Sequence, residues 1–141
     1  MQTEPLFTSV PSVPQDIVST YQAVRQITEE ICAPLAIEDY GLQGMDDASP
    51  AKWHLGHVTW FFETFLLKSM LDGYKLFNPV YEYLLNSYYD GVGPQWTRAY
   101  RAHLSRPTVA EVYDFCTKVD RGMLYLVEAT GPEGCAPSER L

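Results

Sequence analysis

The sequence predicts an all-α fold. Apolar residues recur at helical spacing in three long stretches, over roughly residues 14–34, 50–71 and 108–126. Prolines, glycines and acidic residues separate these stretches, and no alternating apolar run is bounded by a hairpin dipeptide. With 141 residues, of which 46% are apolar and 13% aromatic, the chain is long enough for one globular domain with a buried core.

The first two long helices follow from their apolar positions. The first is predicted over residues 14–34 from the spacing of Ile17, Tyr21, Val24, Ile27 or Thr28, and Ile31. A loop rich in proline, glycine and acids follows over residues 34–49. The second helix is predicted over residues 50–71, with Ser49 as its N-cap and Pro50 at its first position. It is apolar on much of its circumference, which is typical of the most buried helix of a domain.

The remaining elements are a short helix and a third long one. The short helix is predicted within residues 77–90, starting at Pro79. Gly91, Gly93 and Pro94 end it, and an irregular stretch follows to Pro107. The third long helix begins with a capping box of Thr108 and Glu111. Its apolar stripe consists of Val112, Cys116, Val119, Met123 and Leu126. Since four helices are the usual closed arrangement, an up-down bundle with its fourth helix incomplete or missing is predicted.

The two ends of the chain differ in composition from the helical part. Residues 1–13 are rich in proline and are predicted to form a flexible N-terminal arm. Residues 130–141 contain glycine and proline without periodicity and are predicted to form an irregular tail. Residues 14–129 are therefore the predicted helical domain. No secretory signal is visible, and no apolar stretch is long enough to span a bilayer.

Charge and cysteine content exclude some classes of partner and indicate a compartment. The net charge of −8, without any run of basic residues, argues against nucleic acid and anionic membranes as partners. The three cysteines, Cys32, Cys116 and Cys135, have no metal-type spacing and are odd in number, which favours free thiols in a reducing cytoplasm. Cys32 and Cys116 lie on apolar helix faces and are predicted to be buried packing residues. No phosphate loop, nucleophile elbow, CxxC or HExxH motif is present.

Two of the three histidines lie one helical turn apart on the second helix. His57 shares a stripe of this helix with Trp53 and Trp60, and His54 lies on the neighbouring stripe. Imidazoles bind transition metals, and metal sites in helical bundles take ligands from facing helices. The spacing is compatible with one shared metal, with a single ligand, or with a structural pair. His103 lies in the irregular stretch and is predicted to be a surface or loop-packing residue.

Further candidates lie outside the histidine pair. A polar-aromatic cluster, which either lines a pocket or packs at the edge of the core, consists of Asn86, Ser87, Tyr88 and Tyr89. Arg98 and Arg101 can meet a substrate carboxylate by bidentate contacts, or they are solvated loop residues. Glu63 points away from His57 on a helical wheel, so we expect it not to share an ion with His57. Two acids before the second helix, Asp46 and Asp47, are placed where the helix dipole favours negative charge.

Three sequence blocks carry a resemblance to a known family: SPAKWHLGHVTWFFETFLL, FNPVYEYLLNSYYDGVG and LSRPTVAEVYDF. They resemble the N-terminal DinB-like domain of the sulfoxide synthases of ergothioneine biosynthesis and of the related ovothiol enzymes. The resemblance runs from about Tyr21 to Leu126, with the blocks in the same order and with similar gaps. It implies a four-helix bundle joined to a second domain similar to formylglycine-generating enzyme. Together these domains hold non-haem Fe(II) and use oxygen to couple a cysteine-type thiol to trimethylhistidine as a sulfoxide.

The resemblance also implies a metal ligand and shows a departure from the family. His57 matches the position of one iron ligand, whereas His54 is expected to pack or to form a hydrogen bond nearby. The other two ligands of the family are histidines four residues apart in a His-Glu-Gln-Gln-His type motif, which this sequence lacks, as it lacks the second domain. We therefore expect weak or absent Fe(II) binding and no activity in the isolated chain, unless a partner chain supplies the missing ligands.

Two other interpretations remain open at the level of the sequence. One is a non-catalytic helical interaction module, because a missing fourth helix would leave a large apolar face that a homodimer or another chain covers. The other is a truncated domain with no separate function.

Overall fold

A computed structural model describes residues 16–130, whose regular structure is entirely helical. In chain order the elements are α1 (Ile17–Cys32), a first 3-10 helix (Ile37–Gly41), α2 (Ala51–Phe62), a π-helical segment (Glu63–Leu67), α3 (Lys68–Met70), α4 (Tyr81–Leu84), a second 3-10 helix (Arg98–His103) and α5 (Val109–Thr130). No strand is present within the described residues, so the prediction of an all-α fold is confirmed. The predicted N-terminal arm lies outside the described residues.

The long helices differ from their predicted bounds at several ends. α1 begins only after Asp16, because the carboxylate of Asp16 accepts a hydrogen bond of 2.7 Å from the Ser19 amide and caps the helix there. Helical residues run without a break from Ala51 to Met70, close to the prediction for the second helix. α5 continues through Thr130, one residue into the predicted irregular tail, whose remaining residues are not described.

The π-helical segment was not predicted and has a visible structural role. Its first residue, Glu63, is buried and accepts hydrogen bonds of 2.8 Å from the Tyr74 hydroxyl and from the Phe77 amide. A π-helical turn widens the helix and changes the direction of the side chains that follow it. Glu63 thereby ties the connection after α3 back to the helix, and its carboxylate is engaged with Tyr74 and Phe77.

The predicted N-cap of the second helix is wrong. α2 begins at Ala51 with Pro50 as its cap, and no side chain caps the helix. The Ser49 hydroxyl instead accepts a hydrogen bond of 2.7 Å from Nη1 of Arg101. A buried guanidinium is costly without hydrogen-bond acceptors, which accounts for this partner.

Of the short helix predicted over residues 77–90, only one turn, α4 (Tyr81–Leu84), is helical, so the rest of that prediction is wrong. α4 ends at Leu84, because the next carbonyls are used by α2. The Leu84 carbonyl accepts a hydrogen bond of 3.0 Å from Trp53 Nε1, and the Leu85 carbonyl accepts one of 2.6 Å from His57 Nδ1. The stretch predicted to be irregular contains the second 3-10 helix.

The core lies mainly between α2, the π-helical segment and α5. The capping box of α5 is confirmed, since Thr108 Oγ1 accepts from the Glu111 amide at 3.1 Å and the Glu111 carboxylate accepts from the Thr108 amide at 2.6 Å. The stripe predicted for this helix is buried at all five positions. The main cluster consists of Trp53, Trp60, Leu67, Tyr81, Leu85, Phe115, Val119, Met123 and Leu126. A Cβ at Gly122 would lie 2.9 Å from Leu67, so glycine allows this close packing.

A buried polar network joins α1 to α2 and α5. Arg25 Nε donates to Asp120 at 2.8 Å, Arg25 Nη2 donates to Thr59 Oγ1 at 2.9 Å, and the Tyr21 hydroxyl donates to Asp120 at 2.5 Å. Thr59 also lies 3.1 Å from the Cys116 thiol. Arg25 is only 7% exposed, so its charge is neutralised mainly by the Asp120 carboxylate.

The two described cysteines, Cys32 and Cys116, are buried free thiols, as predicted. Burial raises the pKa of Cys116. Cys135 lies outside the described residues. Across residues 16–130, no helix combines the length and the apolar character needed to cross a membrane.

Candidate functional site

A cavity of about 460 Å³ lies where α2, the segment after α4 and the second 3-10 helix meet. Most of the residues proposed from the sequence line it, although they come from three separate parts of the chain. The lining residues are Asp47, Ser49, Trp53, His54, His57, Ser87, Tyr88, Tyr89, Arg98 and Arg101. The fold thus brings the histidine pair and the arginine pair into one site.

The ring of His57 is held in one orientation by its surroundings. Nδ1 lies 2.6 Å from the Leu85 carbonyl, which can only accept, so Nδ1 carries the proton. The ring stacks on Trp53 with centroids 4.6 Å apart and an interplanar angle of 12°, and on Trp60 at 5.6 Å and 22°. Metal-binding histidines are commonly fixed in this way, by a carbonyl that accepts from the nitrogen not bound to metal.

The electrostatic environment of His57 favours the neutral ring. Burial lowers the pKa of His57, and the positive charge of Arg101 lowers it further, while the hydrogen bond to Leu85 opposes the shift. A neutral ring with its proton on Nδ1 carries a lone pair on Nε2. No hydrogen bond to Nε2 is formed within residues 16–130. His57 can therefore act as a metal ligand or as an acceptor through Nε2.

His54 has a different environment from His57. Its side chain is exposed and meets the edge of Trp53, with ring centroids 5.6 Å apart. Burial lowers the pKa of His54, as do the charges of Arg101 and Arg98. His57 is anchored by its hydrogen bond of 2.6 Å to the Leu85 carbonyl, whereas a hydrogen bond with the Ser49 backbone only partly opposes the lowering of the pKa of His54. The structure thus distinguishes the two rings that spacing alone left equivalent.

Gly56 allows the anchor of His57 to come close. A Cβ at this position would lie 2.9 Å from Cδ2 and 3.1 Å from Cδ1 of Leu85. Glycine between the two histidines therefore lets the Leu85 backbone approach α2 and present its carbonyl to His57. The sequence contains this glycine, but its role becomes visible only when the segment after α4 is placed.

Arg101 is a buried cation without a carboxylate partner. It is 3% exposed, and its guanidinium carbon lies 3.3 Å from the centroid of the Trp53 ring. Nη1 donates to Ser49, whereas Nε is buried and has no hydrogen-bond partner among the described residues. The ion pairs within residues 16–130 are Arg25–Asp120 and Lys68–Glu82, and neither involves Arg101. Burial and the charge of Arg98 lower the pKa of Arg101 to about 10.

Arg98 is a half-buried lining residue of the cavity, in contact with Tyr88. Its guanidinium carbon is 4.9 Å from the centroid of the Tyr88 ring, and Nη2 donates to the Tyr88 hydroxyl. Gln43 fixes the backbone here, because its amide nitrogen donates to the Arg98 carbonyl at 2.8 Å and its amide oxygen accepts from the Ala102 amide at 2.9 Å. The two arginines are thus held on one short helix beside the histidines.

The segment around Asn86 contributes lining residues that adjoin Arg98. Asn86 is fully buried and donates to the carbonyls of Tyr89 at 3.2 Å and Gly93 at 3.1 Å. Tyr88 has a φ of 61°, an uncommon conformation for a residue other than glycine that is often found at binding sites. Tyr89 packs against Phe65 with ring centroids 5.1 Å apart. Within this cluster Ser87, Tyr88 and Tyr89 line the cavity, whereas Asn86 is buried and does not line it.

Among the remaining sequence candidates, His103, Asp46 and Glu63 do not line the cavity. His103 is exposed and stacks on Tyr100 at 5.2 Å, which confirms its prediction as a surface residue. Asp46 does not line the cavity, whereas Asp47 does. Sequence reasoning missed Ser49 as a site residue, because its position before Pro50 gave it a capping role that it does not have.

The described residues do not form a complete metal site. No group of three histidine, cysteine or carboxylate side chains that could hold a metal ion occurs within residues 16–130. His57 is thus one potential ligand in a cavity that also contains two arginines. In comparisons with known proteins, no family model and no curated protein matches the chain.

Proposed function

We propose that residues 16–130 form a DinB-like up-down helical domain related to that of the Fe(II)- and oxygen-dependent sulfoxide synthases. In this proposal the cavity supplies one metal ligand and a binding site for a substrate carboxylate. The observation that carries the proposal is the placement of His57 and the unpaired Arg101 on the walls of one cavity.

His57 fits the role of a single iron ligand, but the described residues do not fit a complete iron site. The Leu85 carbonyl holds the proton on Nδ1 and so reserves Nε2 for a metal. A non-haem Fe(II) centre takes three protein ligands, commonly two imidazoles and a third side chain. The other ligands are therefore proposed to come from protein outside residues 16–130.

Arg101 supports the part of the proposal that concerns a carboxylate. A cation that is removed from water and lacks a counter-ion gains when an anion enters beside it. A guanidinium pairs best with planar anions such as carboxylates, through two parallel hydrogen bonds. Both the cysteine-type thiol and the trimethylhistidine of the related enzymes carry a carboxylate. Arg101, with Arg98 beside it, would bind and orient such a group near His57.

The metal half of the proposal is tested by Fe(II) titration of the 141-residue chain under anaerobic conditions. We expect weak binding that His57→Ala abolishes, because one imidazole by itself holds a divalent ion poorly. The matched control is His103→Ala, which removes an exposed imidazole outside the cavity. Binding that is unchanged in His57→Ala, or that is lost equally in His103→Ala, would contradict the role of His57.

A second candidate function is that of a helical interaction module. The observation that favours it is a set of exposed large apolar residues on α1, including Ile17, Val24, Ile27 and Ile31. Such residues are uncommon in a contiguous patch on a monomer, and they often mark an interface.

A further inference from the structure

The helix that carries the arginine pair is a 3-10 helix and not an α-helix. It spans Arg98–His103, and both Arg98 and Arg101 line the cavity. In a 3-10 helix two residues that are three apart lie above one another, about 6 Å apart along the axis, because three residues complete one turn. In an α-helix the same two side chains would diverge by about 60°. The 3-10 form therefore directs both arginines to one side of the helix.

The alignment of the two arginines is unfavourable by itself. Like charges on one side of a helix repel each other. Burial lowers the pKa of Arg101, and the positive charge of Arg98 lowers it further. Runs of 3-10 helix longer than three or four residues are uncommon, because their hydrogen-bond geometry is poorer than that of an α-helix. This helix has six residues, so its form needs support from other parts of the molecule.

The side chain of Gln43 binds the two backbone groups that an α-helix would join to each other. Its amide nitrogen donates to the Arg98 carbonyl at 2.8 Å, and its amide oxygen accepts from the Ala102 amide at 2.9 Å. These two backbone groups are four residues apart, which is the spacing of the α-helical hydrogen bond. A primary amide offers a donor and an acceptor side by side, so it can take the place of that bond.

A second side chain acts in a similar way one turn further on. Trp96 Nε1 donates to the Tyr100 carbonyl at 3.0 Å, a group to which the Leu104 amide would donate in an α-helix. The Leu104 amide donates instead to the Arg101 carbonyl at 3.3 Å, three residues back. Trp96 is a neighbour of the helix in sequence, whereas Gln43 lies 55 residues before Arg98, in the loop that precedes α2. Gln43 therefore links the form of this helix to the tertiary structure.

We propose that Gln43 is a positioning residue of the cavity, which keeps the second 3-10 helix in its form and so aligns Arg98 with Arg101 for one anion. The inference rests on the proposed carboxylate site. Ser49 belongs to the same loop and accepts from Nη1 of Arg101, so this loop holds that guanidinium directly. The guanidinium of Arg98 contacts Tyr88, and its residue is linked to the loop through the backbone bond from Gln43. Gln43 thus acts mainly on Arg98.

NMR of the 141-residue chain tests the backbone part of the proposal without any ligand. We expect contacts between the side-chain amide protons of Gln43 and the backbone of Arg98 and Ala102, together with the contacts between residues two apart that are typical of a 3-10 helix. Gln43→Met keeps the length of the side chain but removes both hydrogen bonds, so these helix contacts should be lost. The matched control is Gln22→Met, at an exposed position of α1, which should retain them. Unchanged 3-10 contacts in Gln43→Met would overturn the proposal.

A double-variant cycle with L-cysteine as the probe tests whether Gln43 acts through Arg98. Gln43→Met should weaken binding at least about threefold in the native chain and less than about 1.5-fold in Arg98→Met, because the side chain to be aligned is then absent. Equal losses in the two backgrounds would overturn the role of Gln43 in aligning Arg98.

Two further outcomes keep the cycle decisive. Gln43→Asn carries the same amide on a side chain that is shorter by about 1.5 Å, and it replaces Gln43→Met if that variant does not fold. Its amide cannot reach both backbone groups, so the same losses are expected. If the native chain does not bind L-cysteine, the proposed carboxylate site is wrong and the alignment has no anion to serve. The NMR comparison then still decides whether Gln43 sets the form of the helix.

Discussion

Asp120→Ala is expected to lower the free energy of unfolding by about 3–5 kcal/mol, the range found when one partner of a buried ion pair is removed. Arg25 is 7% exposed and already has a buried Nη1 without a partner among the described residues. Without Asp120 it also loses its only described carboxylate partner, 2.8 Å away, and the Tyr21 hydroxyl loses its acceptor. The loss arises from an uncompensated buried charge and two broken hydrogen bonds.

Urea denaturation measures the loss of unfolding free energy in Asp120→Ala, compared with the native chain and with two further variants. Asp114→Ala on the exposed side of α5 is the matched control, and we expect it to change the unfolding free energy by less than about 0.5 kcal/mol. The double variant Arg25→Met with Asp120→Leu should recover much of the loss, because it removes both charges. A loss below about 1 kcal/mol in Asp120→Ala would show that the network contributes little to the stability of the domain.

Arg101→Met is expected to weaken carboxylate binding in the cavity at least about tenfold, while changing stability by no more than about 1 kcal/mol. Replacing a buried charge without a counter-ion by an apolar side chain of similar length is often neutral, because the desolvation cost disappears. The variant loses the hydrogen bond from Arg101 to Ser49 and the contact of the guanidinium with the Trp53 ring. The charged hydrogen bonds to a carboxylate are each worth about 1.5–3 kcal/mol, so affinity should fall at least about tenfold.

The probe for this effect is L-cysteine, whose carboxylate and thiol match the substrate class proposed for the cavity. Titration followed by amide chemical shifts should show binding to the native chain, with changes around His57 and the second 3-10 helix. Arg121→Met, at an exposed position on α5, is the matched control and should bind as the native chain does. Equal affinity in Arg101→Met and the native chain would exclude Arg101 as the carboxylate anchor.

The sequence predicted those parts of the fold that depend on local patterns. The α5 stripe and its capping box were correct because periodicity and capping are properties of adjacent residues. The helix predicted from Pro79 was wrong because its end is set by residues far away in the chain. Trp53 and His57 take the carbonyls of Leu84 and Leu85, and no local pattern records that competition.

The candidate site was predicted as separate residues and not as an arrangement. Spacing singled out the histidine pair but left His54 and His57 equivalent, whereas the Leu85 carbonyl distinguishes them in the structure. The arginine pair was identified as a possible carboxylate site, but the burial of Arg101 depends on its stacking on Trp53. A buried arginine and a solvated one look alike in sequence, because burial results from tertiary packing.

The proposed metal-binding role depends on His57 being held as a neutral ring with its lone pair on Nε2. Two-dimensional ¹⁵N–¹H NMR of the histidine rings, recorded as a function of pH, measures both the tautomer and the pKa of His57. We expect the Nδ1–H tautomer and a pKa below the ordinary value of about 6.5, because burial and the charge of Arg101 disfavour the imidazolium. An Nε2–H tautomer, or a pKa at or above that value, would contradict this role of His57.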